Sequence, residues 1–202
     1  MVVKKRREKE KEYMRQLILN SSVKIIIEKG YEKLSMRKIA NAIEYSPTTI
    51  YIYYRNKAEI VEDISRQIYE KIVGNIEKIL RENIELSIDR KIKLSFEEFI
   101  FSIVENSEMS KVVIRSGTKA ILGPREKSET EEISGIEKLY ALLLEAEKEN
   151  IFRKLDENIS WMLISSLIGF SMNALENQLY LNKNWRELVD IYSDFLLRGL
   201  LN

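Results

Sequence analysis

The 202-residue chain contains no cysteine and no histidine. A disulfide framework, a thiolate- or imidazole-bound zinc, a thiol nucleophile and an imidazole base are thereby excluded. A histidine pH switch is excluded with them. Only 2 prolines and 7 glycines are present, too few for the many turns of an all-β fold, and no stretch alternates with the period of two that a half-buried strand needs. Long apolar runs are also missing. The most apolar stretch, Ile159 to Leu175, is 17 uncharged residues and carries Ser165, Ser166, Ser171 and Asn173. A bilayer span needs ~20 mostly apolar residues, so this run reads as a buried helix. The start, MVVKKRREKEKEY, has the basic residues of a signal peptide but sets Glu8, Glu10 and Glu12 where the apolar segment belongs. A cytoplasmic protein with no membrane partner is expected.

What fills the chain instead is Ile, Leu, Lys and Glu, a mixture that favours helices. Charge is unevenly placed. Residues 1–60 hold 14 Lys and Arg against 7 Glu, a net +7, and the remainder of the chain is net −6. A basic head on an acidic body points to a polyanion as the head's partner, or to an ordinary solvated surface.

Periodicity predicts an all-α fold of about nine helices. Met14, Leu17, Ile18, Ser21 and Ile25 define one face of a first helix, ended by Gly30. Ser35 is the expected N-cap of a helix from Met36 to about Ile43, with Ile39 and Ala40 inward. Ser46 caps the next, with Pro47 at its first position, where a missing N–H costs nothing. That helix ends near Tyr53, and Asn56 can cap a long fourth helix in which Ile60, Ile64, Ile68, Ile72, Ile76 and Leu80 recur every four residues. Further on, Ser95 and Glu98 read as a capping box ahead of Phe96 and Phe99. A sixth helix covers Glu108 to Arg115, ending near Gly117, and the polar stretch from Leu122 reads as a loop by its Gly-Pro. Ile133, Ile136, Tyr140, Leu143 and Leu144 make a seventh helix, residues 158–181 an eighth, and Trp185 to Gly199 a ninth.

The second and third helices are spaced as a helix-turn-helix: small Ala40, turn residue Glu44 four later, and aliphatic Ile50 six after that. The third helix offers Pro47, Thr48, Thr49 and Tyr53 behind its cap Ser46, side chains small or hydrogen-bonding enough for a major groove. Tyr51, Tyr53 and Tyr54 bring rings for packing and hydroxyls for phosphate oxygens. Lys57, in the first turn of the fourth helix, and Ser35 with Arg37, at the start of the second, are further candidates for gripping phosphates. Tyr45 and Tyr54 also read as plain core residues.

Residues 30–60, GYEKLSMRKIANAIEYSPTTIYIYYRNKAEI, resemble the DNA-binding domain of the TetR family of bacterial transcriptional regulators. The likeness rests on Gly30-Tyr31, the Ser35 to Ala40 block, Ser46-Pro47, Thr49-Ile50-Tyr51, Tyr53-Tyr54, and Asn56-Lys57 followed by Glu59-Ile60. Two positions depart from it. Glu44 stands where relatives usually have Gly, at a cost of about 1 kcal/mol if the turn needs positive φ, unless the turn is reshaped. Thr48 replaces a frequent Gly in the recognition helix.

The resemblance implies a helix-turn-helix DNA-binding domain over residues 1–56 and a helical ligand-binding and dimerisation domain over 57–202. It implies a homodimeric repressor on double-stranded DNA carrying a palindromic operator, released by a bound small molecule. The aromatic and aliphatic side chains of the second domain suggest an apolar or aromatic effector, and the lack of paired-carboxylate or phosphate-loop motifs, of cysteine and of histidine leads us to expect no enzymatic activity and no cofactor or metal. Phe99, Ile103, Tyr140, Trp161, Phe170 and Asn173 are candidate effector-lining residues, and Leu167, Ala174, Leu188, Tyr192 and Phe195 candidate dimer-interface residues. The eighth helix, too apolar to face water, supports a dimer independently, or else is buried by its own chain. The alternative is a ligand-independent architectural or cell-division DNA binder, which would occupy many sites where a local repressor occupies few.

Overall fold

A computed structural model describes residues 2–115 and 135–202. The expected loop after Leu122, the helix end near Gly117 and the contribution of Ile133 lie outside the described residues. Among those residues the fold is all-α: α1 (Val2–Lys29), α2 (Met36–Ala42), α3 (Pro47–Tyr53), α4 (Lys57–Glu82), α5 (Ile88–Glu105), α6 (Ser107–Arg115), α7 (Gly135–Lys148), α8 (Ile159–Glu176) and α9 (Trp185–Arg198). Two compact units divide them. One lies within Met1–Gln67 and Glu108–Ile121, the other within Ile68–Ser107 and Leu122–Asn202.

The first unit is built on aliphatic faces. Ile18, Ile26, Ile39, Ala40, Ile50, Ile60 and Ile64 are fully buried, so the packing expected of Ala40 and Ile50 is present. Gly30 follows α1 with φ +84, a backbone conformation that a side chain disfavours. Between α2 and α3 the turn closes as a Schellman motif. The Tyr45 N–H donates to the Ala40 carbonyl at 2.9 Å and the Glu44 N–H to the Asn41 carbonyl at 3.4 Å. Glu44 sits at φ 60. The turn is therefore not reshaped around its missing glycine, and Glu44 carries the left-handed strain itself.

The second unit packs α8 on α5 and α7, and α9 on α5. Ile88, Ile92, Phe96, Ile100 and Ile103 line the buried side of α5. The proposed capping box at Ser95 and Glu98 is incorrect. That apolar period begins a full two turns earlier, α5 starts behind Ser87, and the Ser95 hydroxyl instead donates back to the Lys91 carbonyl at 2.9 Å. Lys93 is buried on α5, and its ammonium donates to Asp190 at 2.6 Å. It lies equally close, 2.6 Å, to Asp194, one turn further along α9. Burial pulls the Lys93 pKa down, but these two carboxylates outweigh it and leave it raised. A buried ammonium stays charged only with such partners, so this cluster fixes which face α9 turns inward.

The eighth helix is shorter than expected. It stops at Glu176, because Gln178 adopts a left-handed conformation at φ 54, and Leu179–Leu181 form a separate 3-10 turn. By length and composition α8 could cross a membrane, yet Leu163, Ile164, Leu167, Ala174 and Leu175 are packed inside the unit.

Replacing Glu44 with Gly removes the left-handed penalty while leaving the turn hydrogen bonds in place. The expected gain is about 1 kcal/mol, read as a rise of about 2–4 °C in the thermal midpoint. A lower midpoint would show that the Glu44 side chain supplies more than the strain costs.

Candidate nucleic-acid interface

Three caps hold the recognition elements in place. The Ser35 hydroxyl accepts from the Lys38 N–H at 3.3 Å to start α2. The Ser46 hydroxyl accepts from the Thr49 N–H at 3.1 Å to start α3, with Pro47 in the first turn. The Asn56 side-chain amide oxygen accepts from the Glu59 N–H at 3.0 Å, and the Glu59 carboxylate accepts from the Arg55 N–H at 2.6 Å, a reciprocal pair that starts α4. Each cap satisfies a helix N–H that has no partner within its helix.

The caps and the buried Ile50 leave one face of α3 outward. Ser35, Arg37, Ser46, Pro47, Thr48 and Tyr51 are exposed; Thr49, Tyr53 and Lys57 are half-buried. The Thr49 hydroxyl is hydrogen-bonded to Ser46 at 2.9 Å, which leaves Thr48 and Tyr51 as the freer hydroxyls of the helix. Lys57 is held back towards the protein. Its ammonium donates to the Tyr31 carbonyl at 3.3 Å, lies 4.2 Å from the centre of the Tyr31 ring, and stands 3.9 Å from Glu32.

Tyr54 requires a correction. The phosphate contact expected of its hydroxyl is not available: the side chain is 1% exposed and the hydroxyl donates to Asp63 at 2.6 Å. The core reading of this residue is the right one, whereas Tyr45 is exposed. Asp63, buried on α4, also accepts from the Arg15 guanidinium of α1 at 2.9 Å and pairs with Arg66, while Arg15 stacks over the Tyr54 ring at 4.8 Å. Burial pushes the Asp63 carboxyl up, but the Tyr54 hydroxyl and the two guanidiniums pull it further down, so it ends below its ordinary value. Burial, reinforced by Asp63, raises the Tyr54 phenol. Composition gives no sign of this network; Arg15 and Asp63 are 48 residues apart.

Ile52 is a further outward residue of α3, one that spacing alone does not single out. At 73% exposed it is the barest large apolar side chain among the described residues. Its signal was an aliphatic residue two positions from Ile50, which a seven-residue helix cannot also turn inward.

In the second unit the expected effector and interface residues sort differently from their prediction. Phe99 and Ile103 are buried, and Tyr140 and Phe170 half-buried, whereas Trp161 and Asn173 are exposed. Phe170 stacks on Tyr192 with ring centres 4.0 Å apart and on Trp185 at 5.9 Å. The Ser166 and Tyr192 hydroxyls are hydrogen-bonded at 2.6 Å. Tyr192 thus serves first to hold α9 to α8 within the chain. Leu167 and Ala174 are buried in the protomer's own core and have no surface left for a partner; their apolar character, which suggested an interface, is used internally. Leu188 and Phe195 are exposed, as are Ile191 on α9 and Trp161 and Met162 on α8.

Residues 18–64 match the family model described as bacterial regulatory proteins, tetR family. The fatty acid metabolism regulator protein of Bacillus subtilis (strain 168) is 30% identical over 89 residues, 44% of this chain and 43% of that protein. The chain's matches span less than half the length of the curated relatives. Among solved structures, a TetR-family regulator from Syntrophomonas wolfei superimposes with a TM-score of 0.74 at 19% identity, covering 96% of this chain and 98% of that one. A fatty acid degradation regulator from Bacillus halodurans superimposes with a TM-score of 0.66 at 19% identity, covering 91% and 94%. At such identities the superpositions speak to the fold, and they share it along nearly the whole chain. Over residues 18–64 the chain carries the helix-turn-helix domain that this family model describes, a DNA-binding class. Beyond those residues it shares the fold of the solved TetR-family regulators.

Asp63→Asn is expected to destabilise the protein by about 3 kcal/mol at neutral pH, since it leaves Arg15 without its buried partner. A carboxyl held below its ordinary pKa contributes fully above that value and loses its contribution as pH falls through the depressed one. The gap between the two proteins in urea unfolding should therefore persist to about pH 4 and close only below it. A gap that does not change with pH would mean that the carboxylate's charge is not what stabilises.

Proposed function

We propose that the protein is a ligand-responsive repressor that acts in the cytoplasm as a homodimer on a palindromic operator. Residues 1–56 form the DNA-binding domain, and residues 57–202 bind the effector and the second subunit. The observation that carries this reading is the outward face of α3, uncharged and rich in hydroxyl and methyl groups, set in a head of net charge +7. Arg37 and the basic head supply attraction to phosphates, Ser35 and Tyr51 and Tyr53 hydrogen-bond the backbone, and Pro47 and Thr48 meet the base edges. Ser46 and Thr49 act mainly by holding each other and the helix start. Lys57, already engaged with Tyr31 and Glu32, steers from the margin.

Dimerisation through α8 and α9 is supported by the apolar side chains these helices leave in water: Trp161 and Met162 on one, Leu188, Ile191 and Phe195 on the other. Scattered apolar residues need no explanation, but grouped ones mark an interface. A two-fold dimer presents its recognition helices to successive major grooves, about 34–36 Å apart. Repression is relieved if the effector prefers the conformation that cannot span that distance; equal affinity for both would shift nothing. Phe99 and Ile103, with Tyr140 and Phe170, are the proposed lining; Trp161 and Asn173 are reassigned to the surface. An apolar effector agrees with these side chains and with the fatty acid regulators this chain resembles, which favours a fatty acid.

Fluorescence anisotropy with the gene's own upstream DNA tests the core of this reading. Binding should weaken steeply with salt, and Tyr51→Phe should weaken it on every duplex by about 3- to 10-fold, the value of one lost hydrogen bond. An affinity indifferent to salt would oppose phosphate-led docking. Phe195→Glu should yield monomers in sedimentation; an intact dimer would place the interface elsewhere. Added fatty acid should release the DNA, and no release would remove that effector class.

A further inference from the structure

We infer that the operator half-site is read through thymine methyl groups, with Ile52 as the specificity-determining side chain. This rests on the DNA-binding reading above and names what the reading helix recognises. The seven residues of α3, PTTIYIY, include no Arg, Lys, Asn, Gln, Asp or Glu. Those are the side chains that form bidentate bonds to guanine or adenine, or accept from cytosine, in the major groove. Their absence leaves hydroxyls and hydrocarbon. Of the hydroxyls, Thr49 is bonded to Ser46, so the outward set is Pro47, Thr48, Tyr51 and Ile52. Thr48 lies three and four residues before Tyr51 and Ile52, on one helix face. That face places the Thr48 methyl and the Ile52 branch side by side.

Ile52 gains nothing from its own chain. It is 73% exposed in a unit whose other isoleucines at Ile39, Ile50 and Ile60 are fully buried. An isoleucine left in water is paid back when it covers another apolar group. In a major groove the apolar group on offer is the thymine C5 methyl, which no other base of unmodified DNA carries. The surrounding head brings the duplex close by charge, and the α3 face then distinguishes sequences by methyl contact. Each such contact is worth a factor of about 4, the transfer value of one methylene-sized group. Several are needed for a selective site, and a two-fold dimer doubles the number.

The test begins with the full-length protein and a random duplex library. Selected half-sites should carry thymine beneath α3. No enrichment of any sequence would overturn the DNA reading itself. Given an enriched site, each thymine is replaced singly by deoxyuridine, which deletes only the methyl, and affinities are measured for the parent protein and for Ile52→Ala. At one or two positions the parent should lose about 3- to 5-fold, and Ile52→Ala should lose nothing further there. Ile52 is exposed, so the variant is expected to fold; equal helical circular dichroism checks that. Two results overturn the inference while leaving the DNA reading intact: half-sites indifferent to deoxyuridine, or an equal methyl sensitivity in both proteins. Thr48→Ser, which removes a methyl and keeps the hydroxyl, should abolish sensitivity at a neighbouring position.

Discussion

The buried carboxylate of Asp63 holds three helices to one another. It accepts the Tyr54 hydroxyl from the end of α3 and the Arg15 guanidinium from α1, while itself standing on α4. A charge in a protein interior is tolerable only when its partners are fixed and complete. Here they are a phenol and a pair of guanidiniums, with the Tyr54 ring lying under Arg15. The orientation of α3 is thereby tied to two longer helices through hydrogen bonds with strict directions, where hydrocarbon packing alone would tolerate rotation. The outward set on α3 is a consequence of this anchoring, because whatever fixes Ile50 and Tyr54 inward also fixes Thr48, Tyr51 and Ile52 outward.

The second unit solves a similar problem with the opposite charge. Lys93 is buried and held by Asp190 and Asp194, which lie one turn apart on α9. Phe170, Tyr192 and Trp185 stack across the same region. Ionic directionality and aromatic area together select a single rotation of α9. The apolar residues on its other side, Leu188, Ile191 and Phe195, are then forced into water.

Helix existence and starts in the head were legible because they are local. Ser35, Ser46, Pro47 and Asn56 announce their helices by chemistry that acts within three or four residues. The Schellman turn at Glu44 was legible only as a question, since whether a non-glycine residue accepts positive φ depends on the hydrogen bonds around it. The capping box at Ser95 misled because a serine can bond backwards to a carbonyl as well as forwards to an N–H; the apolar period through Ile88 and Ile92 was the stronger signal. The roles of Tyr54, Leu167 and Ala174 could not be read from spacing. Each is an apolar body whose partner is decided by contacts far along the chain, and a stripe that covers its own core looks the same in sequence as one that covers another subunit. Ile52 is illegible for the converse reason: an aliphatic residue signals an inward position, and only the geometry shows that a short helix has no room for them all.

A helix without formal charge bears on how the protein behaves as its ionic surroundings change. Phosphate contacts release counterions, so the tenure of such a protein on any duplex shortens as electrolyte is added. Hydrocarbon and hydroxyl contacts displace water but no ions. If α3 reads the base edges as proposed, then with every ionic group of the head lying outside it the grip on DNA and the power to tell one duplex from another become separate quantities: added electrolyte weakens the first and leaves the second largely unchanged.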